Sequence, residues 1–185
     1  MEISNDIVTL FSKLRLQGEP VPADVKVLLD HNEELFGRTG IRLNWDENWA
    51  PWLDTSYLRP EELAKPDIAA NIRAISEVCS HIAFVAAHED AEYYGYWRGI
   101  EGRPVSISPL VVLDNEGQFR LCRGTNLVEA LLERTYGEER FDELRQWFIS
   151  IGFSVAPKSM DDLAEPPVSS MPKQLHKSLY SKYLG

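Results

Sequence analysis

The spacing of hydrophobic positions changes midway along this chain, and the change separates helical from extended segments. Ile3, Ile7, Phe11 and Leu14 recur at helical intervals until Gly18 and Pro20 close the run, which predicts a short amphipathic helix. A second helix is expected from Pro22, a favourable first-turn residue, with Val25, Leu28, Leu29, Leu35 and Phe36 as its apolar stripe and Gly37 as its stop. Ile41-Arg42-Leu43 alternates like a short strand. NWDENWAPWLDTSYLRP has no period; Pro51 and Pro60 interrupt it, and Trp45, Trp49, Trp52 and Tyr57 anchor it. Pro66-Asp67 opens a third helix, whose Ile68, Ile72, Ile75 and Cys79 share a face.

From His81 the period shortens to two. HIAFVAA (81–87) and EYYGYWR (92–98) are β-rich runs separated by the polar HED, which predicts adjacent antiparallel strands joined by a short turn. In PLVVLDNEGQFRLC, Asn115-Glu116-Gly117 supplies a hairpin turn with glycine free to take positive φ. Two helices follow. Asn126 and Glu129 suit a capping box ahead of Val128, Leu131 and Leu132, while Phe141, Leu144, Phe148 and Ile151 line the next.

Successive side chains of a strand point to opposite faces, so in EYYGYWR Tyr94 and Tyr96 share one side while Tyr93 and Trp97 share the other. Neither side is polar, and the strand is therefore expected inside the sheet with Trp97 on one face and Tyr94 and Tyr96 on the other. Tyrosine hydroxyls need water or a partner, so at least one of Tyr94 and Tyr96 should reach a groove open to solvent. The fold class that results is α+β: a single domain with a twisted, largely antiparallel central sheet flanked by helices.

Beyond Val155 the sequence APKSMDDLAEPPVSSMP loses periodicity, which divides the chain into a domain at 1–155 and, at 156–185, a Pro-rich linker with an amphipathic helix. Leu175, Leu179 and Tyr183 share a face of that helix and Lys173, Lys177 and Lys182 lie elsewhere on it. It can dock on its own domain or reach another subunit, and removal of 156–185 is expected to leave a folded domain.

Composition narrows the function. With 44% apolar and 26% charged residues in a length of 185, the chain can build one core. No apolar stretch is long enough to span a bilayer, and MEISNDIVTLF has neither the basic start nor the cleavage site of a secretory signal; a cytoplasmic location without membrane partners is expected. Lys and Arg number 19 against 29 Asp and Glu, a net charge of −10, which disfavours nucleic acid as a partner because phosphate contacts need basic patches. Residues 151–185 carry 4 basic and 3 acidic groups, so the acidity resides in the body, whose field favours a basic protein partner.

Candidate chemistry is sparse. His88-Glu89-Asp90 places three polar groups at a turn, where a solvated hairpin tip explains them better than convergence on one substrate atom; a hydrolase using His88 and Glu89 is the enzyme alternative. Cys79, His81, His88 and Cys122 lack the paired close ligands of structural zinc sites. Phosphate-loop, dinucleotide, nucleophile-elbow and HExxH motifs are all missing, so no catalytic residue, metal or cofactor is expected. The tryptophans at 45, 49 and 52 could form a stacking cage for apolar or cationic groups, but covering the sheet is the use favoured for them.

Over residues 20–135 the order of elements resembles the SUKH superfamily of Smi/Knr-like domains. PVPADVKVLLDHNEELFG resembles the family's "LP" helix ending in glycine, HIAFVAA its first central strand, EYYGYWRG its glycine-containing aromatic strand, SPLVVLDNEGQFRLC its "PV" hairpin and GTNLVEALLE the helix that follows. The resemblance implies a single α+β domain with a twisted sheet and no catalytic residues or obligate cofactor. It also implies protein binding, as in bacterial immunity proteins that neutralise toxins, often nucleases or deaminases. A regulatory module recruiting a cellular partner, as fungal members suggest, is the alternative. Against a basic toxin, Glu89, Asp90, Glu92 and Glu101 are expected to steer the encounter and Tyr94 and Tyr96, where exposed, to hold it.

Overall fold

The computed structural model describes residues 5–135, 137–166 and 171–185, which leaves Ile3 and part of the expected linker outside the described residues. In chain order the elements are α1 (Asn5–Arg15), α2 (Ala23–Asp30), α3 (Asn32–Thr39), β1 (Ile41–Leu43), α4 (Pro60–Leu63), α5 (Pro66–Cys79), β2 (Ile82–His88), β3 (Tyr93–Trp97), β4 (Leu110–Leu113), β5 (Phe119–Leu121), α6 (Leu127–Glu133), α7 (Glu138–Ser150) and α8 (Pro172–Leu184). The strands form one sheet in sequence order, and every neighbouring pair is antiparallel. The chain is thus a single α+β domain built on an antiparallel meander.

β3 is the central strand. Its register aligns Ala86, Tyr94, Val112 and Arg120 in one row across the sheet, and Ala87, Tyr93, Leu113 and Phe119 in the next. Tyr94 and Tyr96 pack on one face with Phe11, Val25, Leu28, Leu131 and Phe148 from α1, α2, α6 and α7. Trp97 lies on the other face with Ala74 and Val78 of α5 and Leu179 of α8. Two-sided burial is why the strand carries no polar face. Gly95 answers a second constraint, because a Cβ at this position would stand 2.6 Å from Ile82 Cγ2 and 2.8 Å from the Ala83 carbonyl oxygen, beside the irregularity in β2 between Phe84 and Ala86.

One expected helix proves to be two. The run from Pro22 to Gly37 breaks at His31, and the following residue, Asn32, is buried with its amide turned to β1. Asn32 Nδ2 donates to the Leu43 carbonyl (3.1 Å) and its Oδ1 accepts from the Leu43 N–H (2.8 Å), so the side chain substitutes for a neighbouring strand on this edge of the sheet. The α2–α3 break delivers that amide. The stop is Gly40, in the left-handed conformation at φ 69°, with its N–H donating to Phe36 O; Gly37 stays helical.

The segment after Val155 is tied to the body. Arg145 donates to the carbonyls of Val155 and Pro157, Arg123 to those of Met160 and Leu163, and the Gly124 N–H to that of Ala164. α8 then docks on its own chain along α5 and β5, burying Leu179, with His176 Nε2 3.0 Å from Asn71 Oδ1 and the Tyr183 hydroxyl donating to Glu77. Among the described residues, no helix is long and apolar enough to cross a membrane.

Candidate functional site

An antiparallel meander sends alternate connections to opposite ends. The β2–β3 turn at 89–92 and the β4–β5 turn at 114–118 therefore meet at one end, and the β3–β4 connection at 98–109 goes to the other. At the first end the backbone folds tightly: His88 N–H donates to Glu92 O (2.8 Å), Ala91 N–H donates to His88 O (3.1 Å), and Ala91 takes a φ of 62°. Glu89 and Asp90 stand exposed at the tip. The second turn is held by Asp114, whose Oδ1 accepts from the N–H groups of Glu116 and Gln118, while Gly117 supplies the positive φ.

A groove of about 500 Å³ runs from these turns past β5 to the start of α8, with Glu92, Tyr94, Arg120, Glu133, Arg134 and Met171 among its walls. Glu92 is its electrostatic centre. Its Oε2 accepts from Arg134 Nε at 2.7 Å and from the Tyr94 hydroxyl at 3.1 Å. Burial pushes the Glu92 carboxyl up, but the Arg134 hydrogen bond and charge, with the Tyr94 hydroxyl, outweigh it and hold the group below its usual value. Arg120 makes a second ion pair with Glu133, at 2.8 Å, along the same wall.

His88, only 8% exposed, lies behind Glu92. Its Nδ1 accepts from the Asp90 N–H (3.0 Å) with Arg134 Nη2 at 3.1 Å, an arrangement that makes Nδ1 the acceptor and leaves the ring proton on Nε2. Nε2 in turn lies against Gly40, where a Cβ would stand 2.6 Å away. The Glu89 carboxylate comes to the same spot, its Oε1 2.8 Å from that Cβ position, so His88 Nε2 and Glu89 are neighbours beside Gly40.

The sequence candidates separate on this framework. Glu89, Asp90 and Glu92 converge at the turn, and Tyr94 lines the groove just below, although its ring is only 1% exposed. Burial, and then the Glu92 charge, push the Tyr94 phenol far up. Tyr96 lies deeper, 4% exposed, with a hydroxyl that has no hydrogen-bond partner among the described residues; burial and then Asp24 push it well up. Both rings are core elements in this conformation. Glu101 lies at the opposite end of β3, exposed and ion-paired with Arg103.

Other candidate groups are also dispersed. Cys79 and Cys122 belong to the cores on opposite faces of the sheet, and burial pushes each thiol up to about 12. Among the described residues, no group of three His, Cys, Asp or Glu side chains is placed to hold a metal. Trp45 packs with the core on one face, whereas Trp49 and Trp52 pack on the other, their rings 5.1 Å apart and Trp52 4.0 Å from Phe84. Arg15 fixes that segment by donating to the carbonyls of Asp46 and Trp49. The residue that the pattern of the sequence did not flag is Arg134. It reaches Glu92 across 42 positions, and no local spacing announces a partner so remote.

No protein-family model matches the chain, nor does any curated protein or solved structure.

Proposed function

We propose that the chain is a non-catalytic protein-binding domain of the SUKH type, an immunity protein that neutralises a basic toxin domain through the acidic end of its sheet. The observation that carries this reading is the juxtaposition of the exposed Glu89–Asp90 tip with the Asp114–Gln118 turn on a rigid two-turn platform. Fixed, solvent-facing carboxylates attract a basic surface over several ångströms, and a platform held by backbone hydrogen bonds loses little entropy when it is engaged. Covering the cationic surface of a nuclease or a related toxin would block its access to phosphates.

The test is protection. The chain is expressed in bacterial cells together with each basic toxin domain that a survey of its neighbouring genes turns up, and growth and complex formation are measured. Rescue with a stable complex is expected. A basic toxin domain that kills equally well with and without the chain, and that elutes separately from it, would refute the proposal.

A further inference from the structure

We propose that a pocket walled by Trp52, Tyr57 and Tyr93 takes the cationic side chain of a lysine or arginine from a basic partner protein. The pocket occupies about 180 Å³ on the other side of the same two turns, with Ile75, Asp54 and Asp114 among its lining residues. That is room for one long side chain. Trp52 and Tyr93 meet edge to face, 5.6 Å apart at 69°, and both rings are half-buried, so each leaves part of its surface to line the pocket. Tyr57 is 75% exposed, a large ring with little part in the core.

Electrostatics selects the occupant. Aromatic faces attract cations, and a carboxylate beside them adds charge complementarity. Asp54 Oδ1 accepts from the Ser56 N–H (2.8 Å) and Asp114 Oδ1 accepts from its own turn, so both carboxylates are held in place before any ligand arrives. Hydrogen bonding at Ser56 keeps Asp54 below its usual pKa, and burial, followed by the Asp54 charge, pushes Tyr93 up. No lysine or arginine occurs among the described residues lining the pocket. An anionic or purely apolar guest would meet the two carboxylates unfavourably.

This assignment rests on the reading of a basic partner, and it can fail separately from it. The experiment is a two-dimensional NMR titration of the full chain with acetylated, amidated Gly-Arg-Gly and Gly-Lys-Gly, with Gly-Gln-Gly as the neutral control. Saturable shifts are expected at the Trp52 indole N–H and at the amides of Asp54, Tyr57 and Asn115, in the millimolar range, with the control silent. Tyr57→Ala removes an exposed ring, and Asp54→Asn retains an acceptor for Ser56, so both should fold; each should weaken binding about fivefold to tenfold. Either of two results overturns the assignment: no saturable response, or diffuse shifts over the acidic surface that are unchanged in Tyr57→Ala. A chain that protects cells yet fails this titration refutes the pocket alone. One that binds the peptides here yet forms no complex with a basic toxin refutes the broader reading alone.

Discussion

At one end of β3, Glu92 shares Arg134 with Asp90, 2.7 and 3.8 Å away, beside an open groove; at the other, Arg98 is enclosed. Its Nη2 donates to Glu19 Oε1 at 2.5 Å, Nη1 to Gln17 Oε1 at 2.6 Å and Nε to Arg103 O at 2.9 Å, while Glu19 Oε2 accepts from the Val105 N–H at 2.7 Å. The side chains of Arg98 and Glu19 are 14% and 26% exposed. This second end is a brace that ties the β3–β4 connection to the segment after α1, and the side chains it leaves in water include two large apolar ones, Ile100 at 73% and Ile107 at 69% exposure. The same residue types therefore serve different ends. A hydrogen-bonded, mostly buried ion pair fixes a loop and has little capacity left for a partner, whereas an exposed carboxylate contributes little to stability and remains available. Glu101, paired with Arg103 beside the brace, is separated from the acidic turn by the whole length of the strand.

The harshest way to break this contrast is to disturb the strand that carries both ends. Gly95→Ala would force a methyl group against Ile82 and the Ala83 carbonyl, and should cost about 3 kcal/mol, read as a lowered urea midpoint. Next comes the brace. Glu19→Ala leaves Arg98 and the Val105 N–H short of acceptors; because the pair is partly exposed, a loss of about 2 kcal/mol is expected, below that of a fully buried pair, and hydrogen exchange should quicken across 98–108 while the 88–92 turn is unchanged. Equal quickening at both ends would dissolve the distinction.

The clamp at the acidic end should show itself through pH. The Glu92 pKa is depressed in the folded chain, so its contribution is present above the ordinary glutamate value and disappears as pH falls through the lower folded value. Glu92→Gln should therefore lower stability by under about 1 kcal/mol at neutral pH, given its partial exposure, and the difference should shrink as pH falls below the ordinary glutamate value. A gap that widened in acid would reverse the assignment.

Smallest in stability, and most telling for function, is charge reversal at the tip. Glu89→Lys with Asp90→Lys should alter stability by no more than about 0.5 kcal/mol, yet slow association with a cognate basic partner several-fold and flatten its salt dependence in stopped-flow measurements. Glu101→Lys, at the braced end, should change that rate less. If the two reversals act alike, the partner does not distinguish the ends.

Much of the architecture could be read from local pattern. The absence of a polar side in EYYGYWR marked an interior strand, Asn115-Glu116-Gly117 marked the hairpin, and Asn126 marked the start of α6, where its Oδ1 accepts from the Glu129 N–H at 3.0 Å. The other half of that capping box is displaced by one position, since the Glu129 carboxylate accepts from the Thr125 N–H. The small helix α4 and the break between α2 and α3 could not be read in this way. The break serves a hydrogen-bonding need at Leu43, eleven residues ahead, which no periodicity encodes.

What the sequence determined by itself is which side chains turn inward, because the periods of 2 and 3.6 are properties of the local backbone and the hydrophobic effect acts on them without knowledge of the partner. It thereby set the helical and extended segments, the central place of β3 and the opposed faces of Tyr94 and Trp97. Only the tertiary structure decided which charges meet: that Glu92 finds Arg134, that Arg98 finds Glu19, and that Asp54 and Asp114 flank the same aromatic pocket. Ion pairing and pocket formation depend on distances between segments remote in the chain, and these distances exist only once the meander has brought its alternate turns to the same end of the sheet.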